Sequence, residues 1–379
     1  MSKLNSAAKL RHVFDDDVFN LITYGEKNNL LVGFSNGRVA NYSYDEENNS
    51  LVEEWNTKRH KISCRNLSLT DDNSEFISVG SDCVLKLADT SSGRVTSKWI
   101  QEETASAELS PYSVVEWVEG NNIFATGDDD GCVTIWDRRK NGGVLHSHRD
   151  QIDYISSISP FEDRFMVATS GDGTLLVLDA RNFKSAVLSE EQDDDLTCGA
   201  FTRDNNAKKK FAVGTASGVV TLFTKGDWGD HTDRIMPPIR SNDYSVETMN
   251  RAGADTLYIG GSDGCLRQLN ILPNRYEKII GQHTSKAGVD TADVSENGEY
   301  LISASGSELI FWGTGDDSNE SNKADQDSEE ESDETKSDES EDESSSDSDE
   351  PTQNSKRNKK SAKAAPKKKV PKTDFFDGL

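Results

Sequence analysis

Short apolar runs broken by acidic, glycine-containing turns recur between residues 18 and 313. The clearest copy is ATGDDDGCVTIWD at 125–137. It has a short apolar start, a tight acidic turn ending in Asp130-Gly131, and an alternating run closed by Trp136-Asp137. Asp and Gly both tolerate positive φ, so an Asp-Gly pair between two strand-like runs predicts a hairpin with a two-residue turn. VATSGDGTLLVLD (167–179), FAVGTASGVVTLFT (211–224) and YIGGSDGCLRQLN (258–270) repeat the block. LLVGFSNGRVANYS (30–43), FISVGSDCVLKLAD (76–89) and ISASGSELIFWG (302–313) are weaker copies. Aligned on Asp137, the blocks end at Ser43, Asp89, Asp137, Asp179, Thr224, Asn270 and Gly313, in steps of 42 to 48 residues. Six residues earlier the column reads Gly37, Cys83, Gly131, Gly173, Gly218, Gly264 and Ser307. Glycine thus fills five of the seven places where the turn needs it.

Another strand-like segment precedes each hairpin, at 18–24, 65–69, 112–118, 154–159, 196–201, 244–249 and 289–294, and a further short strand follows, as at 95–99 and 143–145. Four short strands in about 45 residues make one blade of a β-propeller. The predicted fold class is all-β: a single seven-bladed propeller over 1–315, with blade cores near 30–43, 76–89, 123–137, 165–179, 211–224, 257–270 and 300–313. No strand-like run follows Trp312, because the chain turns acidic at once. The orphan apolar patch at 10–14, Leu10 to Phe14, is expected to supply the outer strand of the seventh blade and close the ring. Closure removes sheet edges that would otherwise pair with other chains.

The IWD at 135–137, with LD at 178–179, AD at 88–89 and FW at 311–312 as degenerate versions, resembles WD repeats. His60, His148 and His283 precede inner strands, as the Gly-His histidine does in that family; the resemblance implies that they bond within their blades.

Charge changes the picture past residue 315. The chain of 379 residues carries net −26 and is only 33% hydrophobic. Residues 316–350 hold 18 acidic and 2 basic side chains, and 351–379 hold 9 basic and 2 acidic, which leaves −17 on 1–315. The 316–350 stretch, rich in Ser, Asp and Glu, cannot bury enough apolar surface to offset ordering entropy and is expected to be disordered. Ser328, Ser340, Ser344 and Ser346 each have an acid three residues on, resembling sites of a casein-kinase-like enzyme. In the disordered basic tail, Lys356, Arg357, Lys359 and Lys360, with Lys367, Lys368 and Lys369, resemble a nuclear import signal. Phe375 and Phe376 have no folding reason to sit in a polar tail and read as a docking motif.

No apolar run reaches the ~18 residues of a membrane span, and no signal-peptide run opens the chain, so it is expected to be soluble and intracellular, with no membrane partner. The five cysteines lack CxxC spacing and are expected to be reduced core or turn residues. GFSNG at 33–37 matches the hydrolase G-x-S-x-G, but its second glycine falls in the turn column with no helix after it. GDDDG at 127–131 lacks the distal Glu of a calcium loop and reads as an exposed acidic turn. No catalytic residue, metal, cofactor or small-molecule substrate is expected, and the protein is read as not an enzyme.

Candidate partner-binding positions are Lys58, Arg59 and Lys61, before the second inner strand, and Lys208 to Lys210 in the fifth repeat. Two repeats end in Asp-x-Arg, at 136–139 and 178–181, and resemble the box by which some WD-repeat proteins dock onto a cullin-type ubiquitin ligase adaptor, with Arg138 and Arg181 as the candidates. The whole plan, a single propeller, an acidic serine-rich linker, a Lys-rich end and Phe-Phe…Leu, is similar to the WD repeat-containing protein 55 family. That resemblance implies a non-catalytic scaffold in the nucleus and nucleolus, required for ribosome biogenesis and large-subunit rRNA maturation. The implied partners are pre-ribosomal assembly factors and basic ribosomal proteins, with pre-ribosomal RNA as a further candidate, and the propeller is expected to be monomeric. The alternatives are a substrate receptor of a cullin-type ubiquitin ligase and a histone-binding chaperone.

Overall fold

The computed structural model describes residues 8–314 except 26–27, 101–108, 119, 121, 141–142, 162–164, 203–208, 240–242, 272 and 286. The linker at 316–350 and the tail at 351–379, with the serine, basic and Phe-Phe candidates they carry, lie outside the described residues. Among the described residues there are 28 strands and no helix, arranged as seven four-stranded sheets. Each sheet is an antiparallel meander from the centre of a ring to its rim. The innermost strands are Val18–Tyr24, Cys64–Leu69, Tyr112–Val118, Ile155–Phe161, Leu196–Phe201, Val246–Arg251 and Thr291–Val294. In the seventh blade Thr291–Val294, Tyr300–Ser305 and Glu308–Gly313 come from the end of the propeller, and Ala8–Val13 adds the outer strand, with Ala8 opposite Trp312 and Val13 opposite Glu308.

The second and third strands of each blade are covered on both faces by neighbouring blades, so they read as continuous apolar runs; Ile123–Asp128 is buried throughout. Core clusters therefore span blades. Leu10 and Phe14 pack with Val18, Phe34 and Tyr42 of blade one and with Leu309 and Phe311 of blade seven.

Six of the seven innermost strands slip register after their first residue, for example between Val18 and Asn20 and between Cys64 and Asn66. Such a bulge leaves ladder groups unpaired, and polar side chains next to the bulges bond across to the neighbouring blade. Asn20 Oδ1 accepts the Leu67 N–H (3.1 Å) and Asn66 Oδ1 the Val115 N–H (3.1 Å). Ser113 donates to the Ile155 carbonyl (2.6 Å) and Thr197 to that of Val246 (2.5 Å). Between blades seven and one, Asp293 accepts both the N–H and the hydroxyl of Thr23 (2.8 and 2.9 Å).

The hairpin at 125–137 departs from expectation in its turn. The Gly131 N–H bonds the Asp128 carbonyl, making a four-residue turn with positive φ (78°) at its last position. The same bond closes at Gly37, Cys83, Gly173, Gly218 and Gly264. A turn of this kind followed by one left-handed residue matches strand twist as a two-residue turn does. Only the seventh blade has the two-residue form, Ser305 opposite Glu308, with positive φ at Gly306 and not at Ser307. Glycine is needed at Gly131 for a second reason: a Cβ there would stand 2.5 Å from the Gln151 carbonyl oxygen.

Cys83 occupies this column at φ 55° with a side chain attached. The left-handed region costs an L-residue about 1 kcal/mol. Cys83→Gly is therefore expected to stabilise the protein by about 0.5–1 kcal/mol, read as a higher midpoint in urea; a lower midpoint would refute the strain at this turn.

Candidate functional site

A meander of four strands puts two kinds of connection on the same side of the disc: the hairpins between second and third strands, and the crossovers between blades. This crossover face is acidic. Asp15, Asp16 and Asp17 lie in the crossover into blade one, Asp129 and Asp130 in the third hairpin, and Asp290 in the crossover into blade seven. Several of these acids already have partners. Arg65 grips Asp129 with Nη1 (2.6 and 2.7 Å), and Arg267 pairs with Asp263 (2.5 Å).

Around blade four the acids instead meet N–H groups and an imidazole: Asp172 accepts the N–H groups of Ile152 (2.8 Å) and Thr174 (2.9 Å), Asp194 that of Ser217 (2.9 Å), and Asp150 lies 3.3 Å from His148 Nδ1. A cleft of about 710 Å³ opens between its two flanking crossovers, with the blade-four hairpin as its third side. Asp150 and Asp153 come from one crossover, Glu191 and the run 193–195 from the other, and Asp172 from the hairpin. Among the described residues, no lysine or arginine lines it. The backbone explains its shape. Gln151 is buried and donates to the Thr174 carbonyl (3.0 Å), while the Gln192 N–H bonds the Gly173 carbonyl (2.9 Å), so both crossovers are pinned to the hairpin and their acids face outward. Ile152, 86% exposed, stands on the rim. Tyr154 packs on Gly171, where a Cβ would meet its ring at 2.4 Å. Burial, then the charges of Asp195, Asp153 and Glu247, raise the Tyr154 hydroxyl above its ordinary pKa, so it stays a neutral donor. Carboxylates in a cleft that no described lysine or arginine lines, beside an exposed apolar side chain, can receive lysine or arginine side chains of a protein surface. The EEQDDD run at 190–195 is the sequence signal for this cleft, and it points there only once folding sets it beside Asp150, Asp153 and Asp172.

The histidines are structural. His60 Nδ1 lies 2.9 Å from Asp82 and Nε2 3.0 Å from Ser78 Oγ. Burial works to raise the Asp82 carboxyl, but bonds from His60 and the Lys61 N–H outweigh it and hold it at about 2. His283 sits in the same way between Glu308 (3.2 Å) and Ser303 (2.7 Å), and His148 between Asp150 and the Phe183 carbonyl. All five cysteines are free and buried. Ser35 of the GFSNG stretch lies in a hairpin between two strands, which is not a nucleophile elbow. GDDDG is less exposed than expected. Asp128 is buried, and its carboxylate accepts the N–H groups of Asp130 and Cys132 (3.1 and 2.8 Å), leaving Asp130 as the exposed acid.

The basic candidates fare unevenly. Lys58 and Lys61 are exposed on the crossover face, with Lys58 bonded to the Asn36 carbonyl. Arg59 is corrected: it is 4% exposed, folded inward over the Phe76 ring (4.9 Å) and bonded to the Gly93 carbonyl (2.7 Å), so no partner reaches it. Its charge is held only by aromatic faces and a carbonyl, and burial lowers its pKa to about 10. The pairing of Arg138 with Arg181 is also corrected. Arg181 bonds back to Asp179 through its N–H (3.0 Å), and the residue in the same relation to Asp137 is Arg139. Arg139 closes both sides of its guanidinium on Asp137 (2.9 Å each), holding that carboxyl at about 2. Arg138 instead reaches Glu75 on blade two (2.8 Å). The two endings thus do not present matching guanidinium groups.

Comparison with known proteins agrees with this architecture. Residues 11–315 match the WDR55 family. A WD repeat-containing protein of Schizosaccharomyces pombe is 62% identical over 322 residues, covering 84% of this chain and 88% of the relative. The human WD repeat-containing protein 55 is 29% identical over 286 residues, covering 75% and 70% respectively. Among solved structures, U3-55K and the RRP9 WD40 repeats each superpose with TM-score 0.68 over 82% of this chain, and over 99% and 98% of theirs. At 12% identity those two carry the fold alone.

Proposed function

The chain belongs to the WDR55 family of WD-repeat proteins, and on that premise we propose that it is a non-catalytic scaffold of ribosome biogenesis, acting in the nucleolus on large-subunit rRNA maturation. The observation that carries this reading is the acidic cleft of blade four, lined by Asp150, Asp153, Asp172, Glu191 and 193–195 with no basic residue among them. A nucleolar scaffold meets ribosomal proteins and assembly factors rich in lysine and arginine. A rigid carboxylate cleft speeds their encounter and orients them on the disc. Import is assigned to Lys356, Arg357, Lys359, Lys360, Lys367, Lys368 and Lys369, and the linker serines Ser328, Ser340, Ser344 and Ser346 would add negative charge when phosphorylated.

The test is replacement in living cells. With the endogenous protein depleted, wild type restores large-subunit rRNA precursors to their normal ratio, and the variant Asp193→Lys, Asp194→Lys, Asp195→Lys is expected not to. Asp193 and Asp195 face solvent, while Asp194 is half-buried and accepts the Ser217 N–H (2.9 Å), so the variant is expected to fold with a melting temperature slightly below wild type. Full rescue by the folded variant would remove the cleft from the function, and precursor levels unmoved by depletion would remove ribosome biogenesis itself.

A further inference from the structure

The outer edge of blade two carries like charges face to face. Its third strand, Val84–Asp89, and its outer strand, Val95–Ile100, place Lys86 directly opposite Lys98. Like charges directly opposite each other in a sheet are destabilising. A third cation adds to them. Lys86 Nζ bonds the Arg59 carbonyl, and the Arg59 guanidinium is buried over the rings of Trp55 and Phe76, with Nε and Nη1 lacking a hydrogen-bond partner among the described residues. Burial lowers the Lys86 pKa, and the charges of Lys98 and Arg59 lower it further, against that of Asp82. Asp82 is already engaged by His60 Nδ1 (2.9 Å) and the Lys61 N–H (3.0 Å).

Apolar side chains flank these cations. Val84, Lys86 and Ala88 share one face of their strand, and Ala88 packs with Leu31 and Val39 of blade one. On the outer strand the same face carries Ile100, opposite Val84, then Lys98 and, past a bulge, Val95, opposite Ala88. Lys98 is exposed, Ile100 is 58% exposed and Val95 49%. The strand is the last of its sheet, so one row of its N–H and C=O groups faces outward. A lysine on such an edge ordinarily keeps other strands away. With the charges of Lys86 and Arg59 behind it, Lys98 does so selectively. It repels a basic strand and attracts one that brings an acid to its register, which relieves the repulsion within the blade. A phosphate chain would meet the lysines but gain nothing from Val95 and Ile100, whereas an added peptide strand uses the backbone edge, the cation and the apolar positions together.

We propose that the outer strand of blade two, Val95–Ile100, takes up an extended segment of a partner protein by strand addition, with an Asp or Glu of that segment opposite Lys98 and apolar side chains flanking it against Ile100 and Val95. The backbone edge supplies affinity, and the lysine with its apolar neighbours supplies specificity. This edge shares no residue with the blade-four cleft, so either can fail alone.

The experiment uses the full chain and a fluorescently labelled peptide, Thr-Val-Thr-Glu-Thr-Val-Thr, blocked at both ends, with anisotropy read from low to physiological salt. Because the tail cations also attract acids, a parent is made with Lys356, Arg357, Lys359, Lys360, Lys367, Lys368 and Lys369 changed to Gln. That parent is expected to bind the peptide. Replacing the peptide Glu by Gln, or Lys98→Glu in the protein, should weaken binding about tenfold or more. A peptide with Lys in place of Glu should bind Lys98→Glu better than it binds the parent. Lys98→Glu sets an opposite charge across from Lys86, so its melting temperature should not fall below the parent's, and lost binding is then not lost folding. The milder Lys98→Gln covers the case in which reversal disturbs the fold. Of two peptides N-methylated at alternate residues in opposite phase, one should bind and the other should not, since only one phase blocks the shared edge. No binding by the parent at low salt, unchanged affinity in Lys98→Glu and Lys98→Gln, or equal binding of the two methylated peptides would overturn the proposal. So would undiminished binding of a peptide with Ser in place of Val together with its full displacement by single-stranded RNA, which would assign the lysines to a nucleic acid.

Discussion

Deletion of residues 1–15 is expected to abolish the cooperative unfolding transition of the propeller, or to lower its midpoint by well over 10 °C. The outer strand of the seventh blade, Ala8–Val13, is the one strand whose sheet partners lie about 300 residues away in sequence, along Glu308–Gly313. Without it that strand becomes a raw edge, and the buried side chains of Leu10 and Phe14 leave the cluster joining blades one and seven. Each such side chain contributes about 1.5–3 kcal/mol by burial alone. Domains of this size have only ~5–15 kcal/mol in total. Phe14 also meets Phe34 edge-on with centroids 5.1 Å apart, so Phe14→Ala alone should cost about 3–5 kcal/mol. Calorimetry with size exclusion decides the matter. A truncated protein that melts as one transition at the wild-type temperature would show that the ring does not depend on this strand.

Trp312→Ala is expected to be the most damaging point substitution in the seventh blade, at about 3–5 kcal/mol. Trp312 is fully buried, and its indole N–H can only donate, so Ser303 Oγ must accept it (2.8 Å). The Ser303 hydroxyl then donates to His283 Nε2 (2.7 Å), which places the imidazole proton on Nδ1, facing Glu308 (3.2 Å). Trp312→Phe keeps most of the packing and removes only the first donor, so about 1–2 kcal/mol should be lost. The same network sets a pH dependence. Burial depresses the pKa of His283, and likewise His60, below 6.5. The unfolded chain then binds protons that the folded one refuses. The stability contributed by these neutral imidazoles is complete above about pH 6.5 and is lost as pH falls through the folded values. Melting temperature should drop between pH 7.5 and 5.5, and drop less in His283→Gln. A pH-independent wild type, or an equal drop in the variant, would refute the neutral imidazole.

The blades were legible because their cause is local. Alternation recurs in each blade and a hairpin glycine with positive φ in six of the seven, and no partner is needed to see them. Turn class was less legible, since Asp130-Gly131 suits a two-residue turn and a longer one equally, and only the Gly131 to Asp128 bond separates them. Burial of Arg59 could not be read, because a basic run of Lys58, Arg59 and Lys61 looks solvated until the Trp55 and Phe76 rings of two different blades close around its middle member. The carboxylate cleft is likewise a product of assembly: 150–153, 172 and 191–195 are separate in sequence and meet only when blade four is framed by its two crossovers.

The circular closure has a consequence in time. In a chain made from the N-terminus, Ala8–Val13 is made before every other described strand of the propeller, and its partner Glu308–Gly313 after all of them. The first strand must therefore wait without its sheet partner through the synthesis of six complete blades, with Leu10 and Phe14 covered only on the side of blade one. Local hairpins form early and ring closure comes as the final, slow step. During synthesis the vulnerable part of the propeller is its first strand, and conditions that delay elongation lengthen the interval in which that strand can pair with the wrong chain.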